Sequence, residues 1–234
     1  MDSSALILLA PGAILAIAFH EAMHGYAADK LGDPTARIQG RLTLNPFKHI
    51  DLFGTILVPA LLYYTGGFLF GWAKPVPVNI FNLRRPKRDM ALVAAAGPGA
   101  NLVLALIASG VLYALTPLMH ASLDERVMAT VVKPLVIIFL LMVQFNVMLM
   151  FFNLIPIPPL DGGRILVGVL PFRAATRVAA IEPFGFFILI GLLILNRSVP
   201  ILSATIFPAA QFLTAWLLPG YVPLFLAGYI PEGS

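Results

Sequence analysis

Six apolar stretches dominate this chain, at about 5 to 28, 51 to 73, 91 to 117, 133 to 155, 183 to 196 and 199 to 218, with little polar sequence between them. A helix that crosses a bilayer needs about 20 mainly apolar residues, because lipid offers no partner to a free backbone group. All but the fifth stretch approach that length. With 59% hydrophobic and 11% charged residues and a mean hydropathy of +0.92, the 234 residues lack the polar surface for a shell facing water. The chain therefore reads as an all-α polytopic membrane protein with about five or six transmembrane helices. The longest polar stretch, Ala28 to Ile50, spans 23 residues and leaves no room for a separate extramembrane module. Asp2, Ser3 and Ser4 stand where a removable signal peptide would carry basic residues, so the first helix is expected to stay in the mature protein.

The 15 Lys and Arg residues and the net charge of +4 do not make a nucleic-acid face, because the basic residues sit in short runs between apolar segments. Absence of cysteine excludes a disulfide framework, a thiolate metal site and a cysteine nucleophile. Lys30, Arg37, Arg41 and Lys48 follow the first segment, and Lys74, Arg84, Arg85, Lys87 and Arg88 follow the second. Excess positive charge marks cytoplasmic loops, so both groups are expected inside. That requires the stretch 51 to 73 to be re-entrant, entering and leaving on one side. Pro59, Gly66, Gly67 and the run Lys74-Pro75-Val76-Pro77-Val78-Asn79, which cannot be helical, agree with that reading. The helix at 91 to 117 then runs outward and the one at 133 to 155 returns inward.

Chemistry-bearing residues appear at the inner end of the first apolar segment, in Phe19-His20-Glu21-Ala22-Met23-His24-Gly25. On a helix, residues four apart share a face, so His20 and His24 can ligate one zinc ion while Glu21, offset around the helix, reaches the water rather than the metal. Four His and four Glu would produce this spacing by accident in about one such chain in a thousand. The bland alternative is that both histidines bond to neighbouring helices, yet ionisable groups inside a membrane helix are costly and default to function. A catalytic zinc site has three protein ligands, so one more is needed. Lys30 stands where a metzincin would place its third histidine, which excludes that family. Among the carboxylates, Asp29, Asp33, Asp51, Asp89, Asp124, Glu125, Glu182 and Glu232 have no distinctive setting in the sequence. Asp161 follows the proline-rich Asn153-Leu154-Ile155-Pro156-Ile157-Pro158-Pro159-Leu160 and opens Asp161-Gly162-Gly163-Arg164. Asp-Gly is also an ordinary turn pair and Asp an ordinary helix cap. Beside a zinc motif short of one ligand, Asp161 becomes the leading candidate.

Three segments together resemble the signature motifs of the site-2 proteases, zinc metalloproteases that cut within membranes: His20-Glu21-Ala22-Met23-His24, Gly97-Pro98-Gly99-Ala100-Asn101, and Asn153 through Pro156 and Pro158 to Asp161-Gly162. The resemblance covers roughly residues 5 to 170. It implies that His20, His24 and Asp161 bind one zinc ion, that Glu21 is the catalytic base, and that Asn153 supports the site by hydrogen bonding to substrate or the developing oxyanion. For Asn101 it suggests a place beside the active site, where helix packing is an equal alternative. The run 71 to 79 resembles the family's membrane-embedded strands, which gives short β-strands near 66 to 79 and makes Lys74, Val76, Val78 and Asn79 candidate substrate contacts. An edge strand would hold a substrate extended, as peptide hydrolysis requires, and alternate prolines suit such an edge. A mere re-entrant loop is the alternative.

These readings give a protease core over residues 1 to 171 and C-terminal helices over 172 to 234 that pack on or gate it. No inserted PDZ-like domain or CBS-type tail, as carried by larger family members, is expected. The expected partners are transmembrane protein substrates and the lipid bilayer, without nucleic acid, in a multi-pass cell-membrane protein whose active site faces the cytoplasm. A zinc transporter and a catalytically idle scaffold for transmembrane partners are the competing functions. His49 and His120 lie in expected loops, where a solvated histidine is the default, and Pro183, Pro200, Pro208, Pro219 and Pro223 suggest kinked C-terminal helices.

Overall fold

The computed structural model describes residues 3–49, 51–58, 61, 64, 73–121, 123–196, 198–218 and 220. Among them the structure is helical and contains no strand. Besides the three-residue turn Glu125–Val127, eight α-helices follow in chain order among the described residues. The first three are α1 (Ser3–Lys30), the single turn α2 (Thr35–Ile38) and the long α3 (Pro86–His120). Then come α4 (Lys133–Asn153), α5 (Asp161–Val169), α6 (Phe172–Ala179), α7 (Gly185–Leu195) and α8 (Ile201–Leu217).

Three described segments are long and apolar enough to cross a membrane: Pro86–Met119, Glu125–Asn153 and Phe172–Leu195. Ile201–Leu217 is a shorter apolar helix. The expected re-entrant stretch begins as a π-helical turn, Leu52–Leu57, whose entry is fixed by the Gly54 N–H donating to Asp51 Oδ1 at 2.7 Å. Most of the remainder of that stretch lies outside the described residues.

The expected strands divide in the same way, since residues 66–72 lie outside the described set. Residues 73–79 are non-helical but form no strand. The physical reason is that Pro75 and Pro77 have no N–H, and the N–H groups of Val76 and Asn79 go to the side chains of Glu21 and Asp33 instead of a ladder. Two of the prolines expected to kink helices mark helix entries instead: Pro183 sits in the 3-10 turn Glu182–Phe184 before α7, and Pro200 is the N-cap of α8. Pro208 is inside α8, and Pro219 and Pro223 lie outside the described residues.

The chain divides into two compact units, each discontinuous in sequence. One comprises residues 1–16, 101–152 and 190–234. Its core joins Ala105, Ala108, Leu112 and Met119 of α3, Val132, Val136, Val143 and Val147 of α4 and its lead-in, and Ala210 and Leu217 of α8. Steps of three, four and seven put each set on one helix face, so the apolar stripe is set by sequence. A buried Asn101 in this unit donates from Nδ2 to Asn146 Oδ1 at 2.9 Å and to the Ala16 carbonyl at 3.3 Å.

The second unit comprises residues 17–100 and 153–189. Its small core is built from Ala28, Leu83 and Val93, with Val78 and Met90 packed against them. Asp33 knots this unit together. The chain leaves α1 through Gly32, whose φ of +115° favours glycine, and Asp33 is then fully buried. Its carboxylate accepts from the Thr35 hydroxyl and N–H, from Asn82 Nδ2 at 2.9 Å and from the Asn79 N–H at 2.6 Å. Asp33 was indistinguishable from other carboxylates in the sequence, because this setting is assembled by residues 46 and 49 positions away.

Candidate metal centre

His20 and His24 lie one turn apart near the C-terminal end of α1, and Asp161 is the first residue of α5. The loop between Asn153 and Asp161 folds back tightly on the first turn of α5. A Cβ at Gly162 would collide with the backbone of Leu154 and Ile155, and one at Gly163 with the backbone of Ile157 and Pro158. Glycine at both positions lets that turn close and sets the Asp161 side chain against the two histidines. His20 Nε2 and His24 Nε2 are 3.1 Å apart, and each approaches Asp161 Oδ2, at 3.1 and 3.3 Å.

Those separations suit a zinc ion. Bonds of about 2.0–2.1 Å in tetrahedral directions put neighbouring ligand atoms about 3.3 Å apart. The donor chemistry agrees. His24 Nδ1 lies 2.8 Å from the carbonyl oxygen of Val93, which can only accept, so the ring proton is on Nδ1 and Nε2 carries a lone pair in the neutral ring. Asp161 Oδ2 is buried and has no hydrogen-bond donor. Electron-rich atoms thus converge at one buried point, an arrangement that a divalent cation stabilises.

Comparison with known proteins gives the family. The family model for peptidase family M50, the site-2 protease family, matches residues 9–195. The chain belongs to that family. A Bacillus subtilis protein named as a zinc metalloprotease, YwhC, is 41% identical over 181 residues, covering 77% of each chain. Rip2 of Mycolicibacterium smegmatis, also named as a zinc metalloprotease, is 32% identical over 195 residues, covering 82% of this chain and 69% of the relative. No solved structure matches the chain. It is a zinc metalloprotease of the M50 family, and three helices long and apolar enough to cross a bilayer mark it as a membrane protein.

Around the His20, His24 and Asp161 cluster, the structure distributes the other sequence candidates as follows. Glu21 is half-buried, and its Oε2 accepts a hydrogen bond from the Val76 N–H at 2.9 Å. Asn153 is the last residue of α4, at the start of the loop that leads to Asp161. Asn101 belongs to the other unit, and its amide is engaged with Asn146 and the Ala16 carbonyl, the bonds of a helix-packing residue. Lys74 is exposed, its N–H donating to the His49 carbonyl at 2.8 Å. Val78 packs in the small core, and Asn79 caps the 3-10 turn Ile80–Asn82 while its N–H goes to Asp33.

Beside this cluster stand Val93, which the sequence reading missed, and Gly97, which it named only as part of a motif. Val93 acts through its carbonyl, which no side-chain pattern reveals. Gly97 of α3 faces both histidines, so that a Cβ there would lie 2.5 Å from His24 Nε2 and 2.6 Å from His20 Cε1. The signal available for it was a glycine inside a long helix, which costs helix stability and so asks for a packing reason. His49, expected to be solvated, is buried, with Nε2 bonded to the Thr43 carbonyl at 2.9 Å. Its carbonyl accepts from the Lys74 N–H at 2.8 Å, a contact that local sequence does not encode.

Proposed function

We propose that this M50 peptidase hydrolyses peptide bonds within or next to the transmembrane segments of its substrates, as in regulated intramembrane proteolysis, with one zinc ion per chain on His20, His24 and Asp161. The observation that carries this reading is the convergence of three buried ligand atoms from His20, His24 and Asp161, with Glu21 next to His20 on α1. When bound, zinc polarises the scissile carbonyl and lowers the pKa of water toward about 7. Glu21 takes the proton of the attacking water and delivers it to the leaving nitrogen. Asn153, where the chain turns from α4 toward Asp161, donates to substrate or to the developing oxyanion. Val93 holds the His24 ring in the tautomer that leaves Nε2 free.

Residues 1–171 form the protease core in this reading, and residues 172–234 are accessory helices. We place the centre toward the cytoplasmic face of a multi-pass protein, where the basic residues gather, and the approach of substrate beside Lys74, Val76, Val78 and Asn79.

Glu21→Gln separates this function from zinc transport and from a scaffold. The variant is expected to keep zinc at the wild-type stoichiometry while cleavage of a reporter bearing a transmembrane helix falls by about 10²-fold to 10⁴-fold. Undiminished cleavage by the variant would sink the assignment of the base, and a wild type that carries no zinc after reconstitution would sink the function. Because the chain has no cysteine, single cysteines at Tyr63 and Asn79 report the topology directly. Labelling of position 63 only from outside the cell would overturn the re-entrant arrangement.

A further inference from the structure

Residues 74–79 lie along α1 beside the proposed base, and their attachments are unusually complete for a segment without secondary structure. The Lys74 N–H donates to the His49 carbonyl at 2.8 Å, and Arg41 Nη2 donates to the carbonyls of Lys74 at 3.0 Å and Pro75 at 3.4 Å. At the other end the Asn79 N–H is held by Asp33 at 2.6 Å. Between these anchors the Val76 side chain is buried against α1. A Cβ on Gly25 would stand 3.0 Å from Val76 Cγ1, so the glycine lets the segment lie close to the helix.

Pro75 and Pro77 have fixed φ and no N–H, which leaves the Val76 N–H as the one backbone donor in the tripeptide. That donor reaches Glu21 Oε2 at 2.9 Å. We infer that residues 74–79 are a fixed strap whose Val76 N–H orients the Glu21 carboxylate, making Val76 a positioning residue through its backbone, with Arg41 and Asp33 holding the strap in place. A hydrogen bond to an ionised oxygen is strong and directional, so it removes rotational freedom from a side chain whose reach must be set to within an ångström. Turned toward Glu21, this N–H is not available to pair with a substrate strand. The inference rests on Glu21 being the base, as proposed above.

The test compares Val76→Pro, which removes the N–H together with the valine side chain in a proline-flanked setting, with Val76→Ala, which removes most of the side chain and keeps the N–H. Both are assayed with zinc-loaded full-length protein in liposomes on a reporter carrying a transmembrane helix. Val76→Pro is expected to lose kcat on the order of 10²-fold relative to Val76→Ala, with KM and zinc content little changed. Equal kcat in the two variants overturns the strap's role. If Val76→Pro fails to retain zinc, Arg41→Ala supplies the second route. It is expected to lower kcat without KM while Arg41→Lys recovers most of it, and an unchanged kcat in Arg41→Ala overturns the proposal.

A readout independent of activity is the double variant Gly25→Cys with Val76→Cys in this cysteine-free chain, because the side chains meet within disulfide reach. Rapid oxidative cross-linking, slowed by Asp33→Ala, supports a seated strap, and no cross-link overturns it. Failure of wild type to cut, or cutting by Glu21→Gln, would instead strike the assignment of the protease chemistry and its base, so the two failures are distinguishable.

Discussion

His24 Nδ1 and the carbonyl oxygen of Val93 are 2.8 Å apart, across 69 residues of sequence, and this one bond fixes which nitrogen of the ring faces Asp161. A main-chain carbonyl on α3 therefore sets which nitrogen of the His24 ring, on α1, carries the proton. With zinc on His20, His24 and Asp161 as proposed, a neighbouring group of this kind would change metal affinity by about 10-fold to 100-fold, and α3 would serve the centre without supplying a ligand.

Gly97 gives the sharpest test of that conclusion. Gly97→Ala puts a methyl group 2.5 Å from the His24 ring, so zinc affinity is expected to fall by about 10-fold or more. Gly99→Ala, two residues along the same helix, meets nothing within 4 Å and is expected to stabilise the protein by about 0.5–1 kcal/mol through helix propensity. Competition with a zinc chelator and thermal unfolding, applied to both variants, measure the contrast.

Removing the metal should loosen the same unit. Ligand present at about 1,000 times its Kd stabilises the folded form by about 4 kcal/mol, so chelation is expected to lower Tm and zinc to restore it. In His24→Ala and Asp161→Ala the difference in Tm between chelated and zinc-supplemented samples should nearly vanish. A full difference in either variant would remove that residue from the ligand set.

Asp33 makes stability depend on pH. Burial opposes its ionisation, but donation from the Thr35 hydroxyl, the Asn82 amide and the N–H groups of Asn79 and Thr35 outweighs that and holds the carboxyl below its usual value. A lowered folded pKa means stabilisation that is present above the unfolded value of about 3.9 and lost as pH falls through the folded value. Tm measured from pH 7 down to pH 3 is therefore expected to fall less steeply in Asp33→Asn than in wild type. Asp33→Ala leaves buried donors unpaired and should cost about 1–3 kcal/mol at pH 7.

The Asn101 and Asn146 side chains form a buried pair in the other unit, at 2.9 Å. Asn101→Ala should destabilise by about 1 kcal/mol and leave zinc content unchanged, and the double variant with Asn146→Ala should cost less than the two single losses together. Thermal unfolding of the four proteins gives the coupling. Loss of zinc in Asn101→Ala would show instead that this residue serves the metal centre.

How much of this was legible beforehand depends on range. The spacing of His20 and His24 fixes their common helix face wherever the helix is placed, and the steps among Ala105, Ala108, Leu112 and Met119 fix a buried stripe in the same way. Prolines between Ile155 and Leu160 announce an unwound stretch, and Gly162 with Gly163 a close approach, because these follow from one residue's own bonds. The sequence by itself thus determined the zinc motif, the apolar helices and the break before Asp161. Tertiary structure alone brought Asp161 to within 3.3 Å of both histidines, turned the Val93 carbonyl to His24 and the Val76 N–H to Glu21, and made Asp33 a buried knot rather than a loop carboxylate. Local patterns are set by backbone geometry over one or two turns, whereas these pairings span 46 residues or more and form only when helices pack.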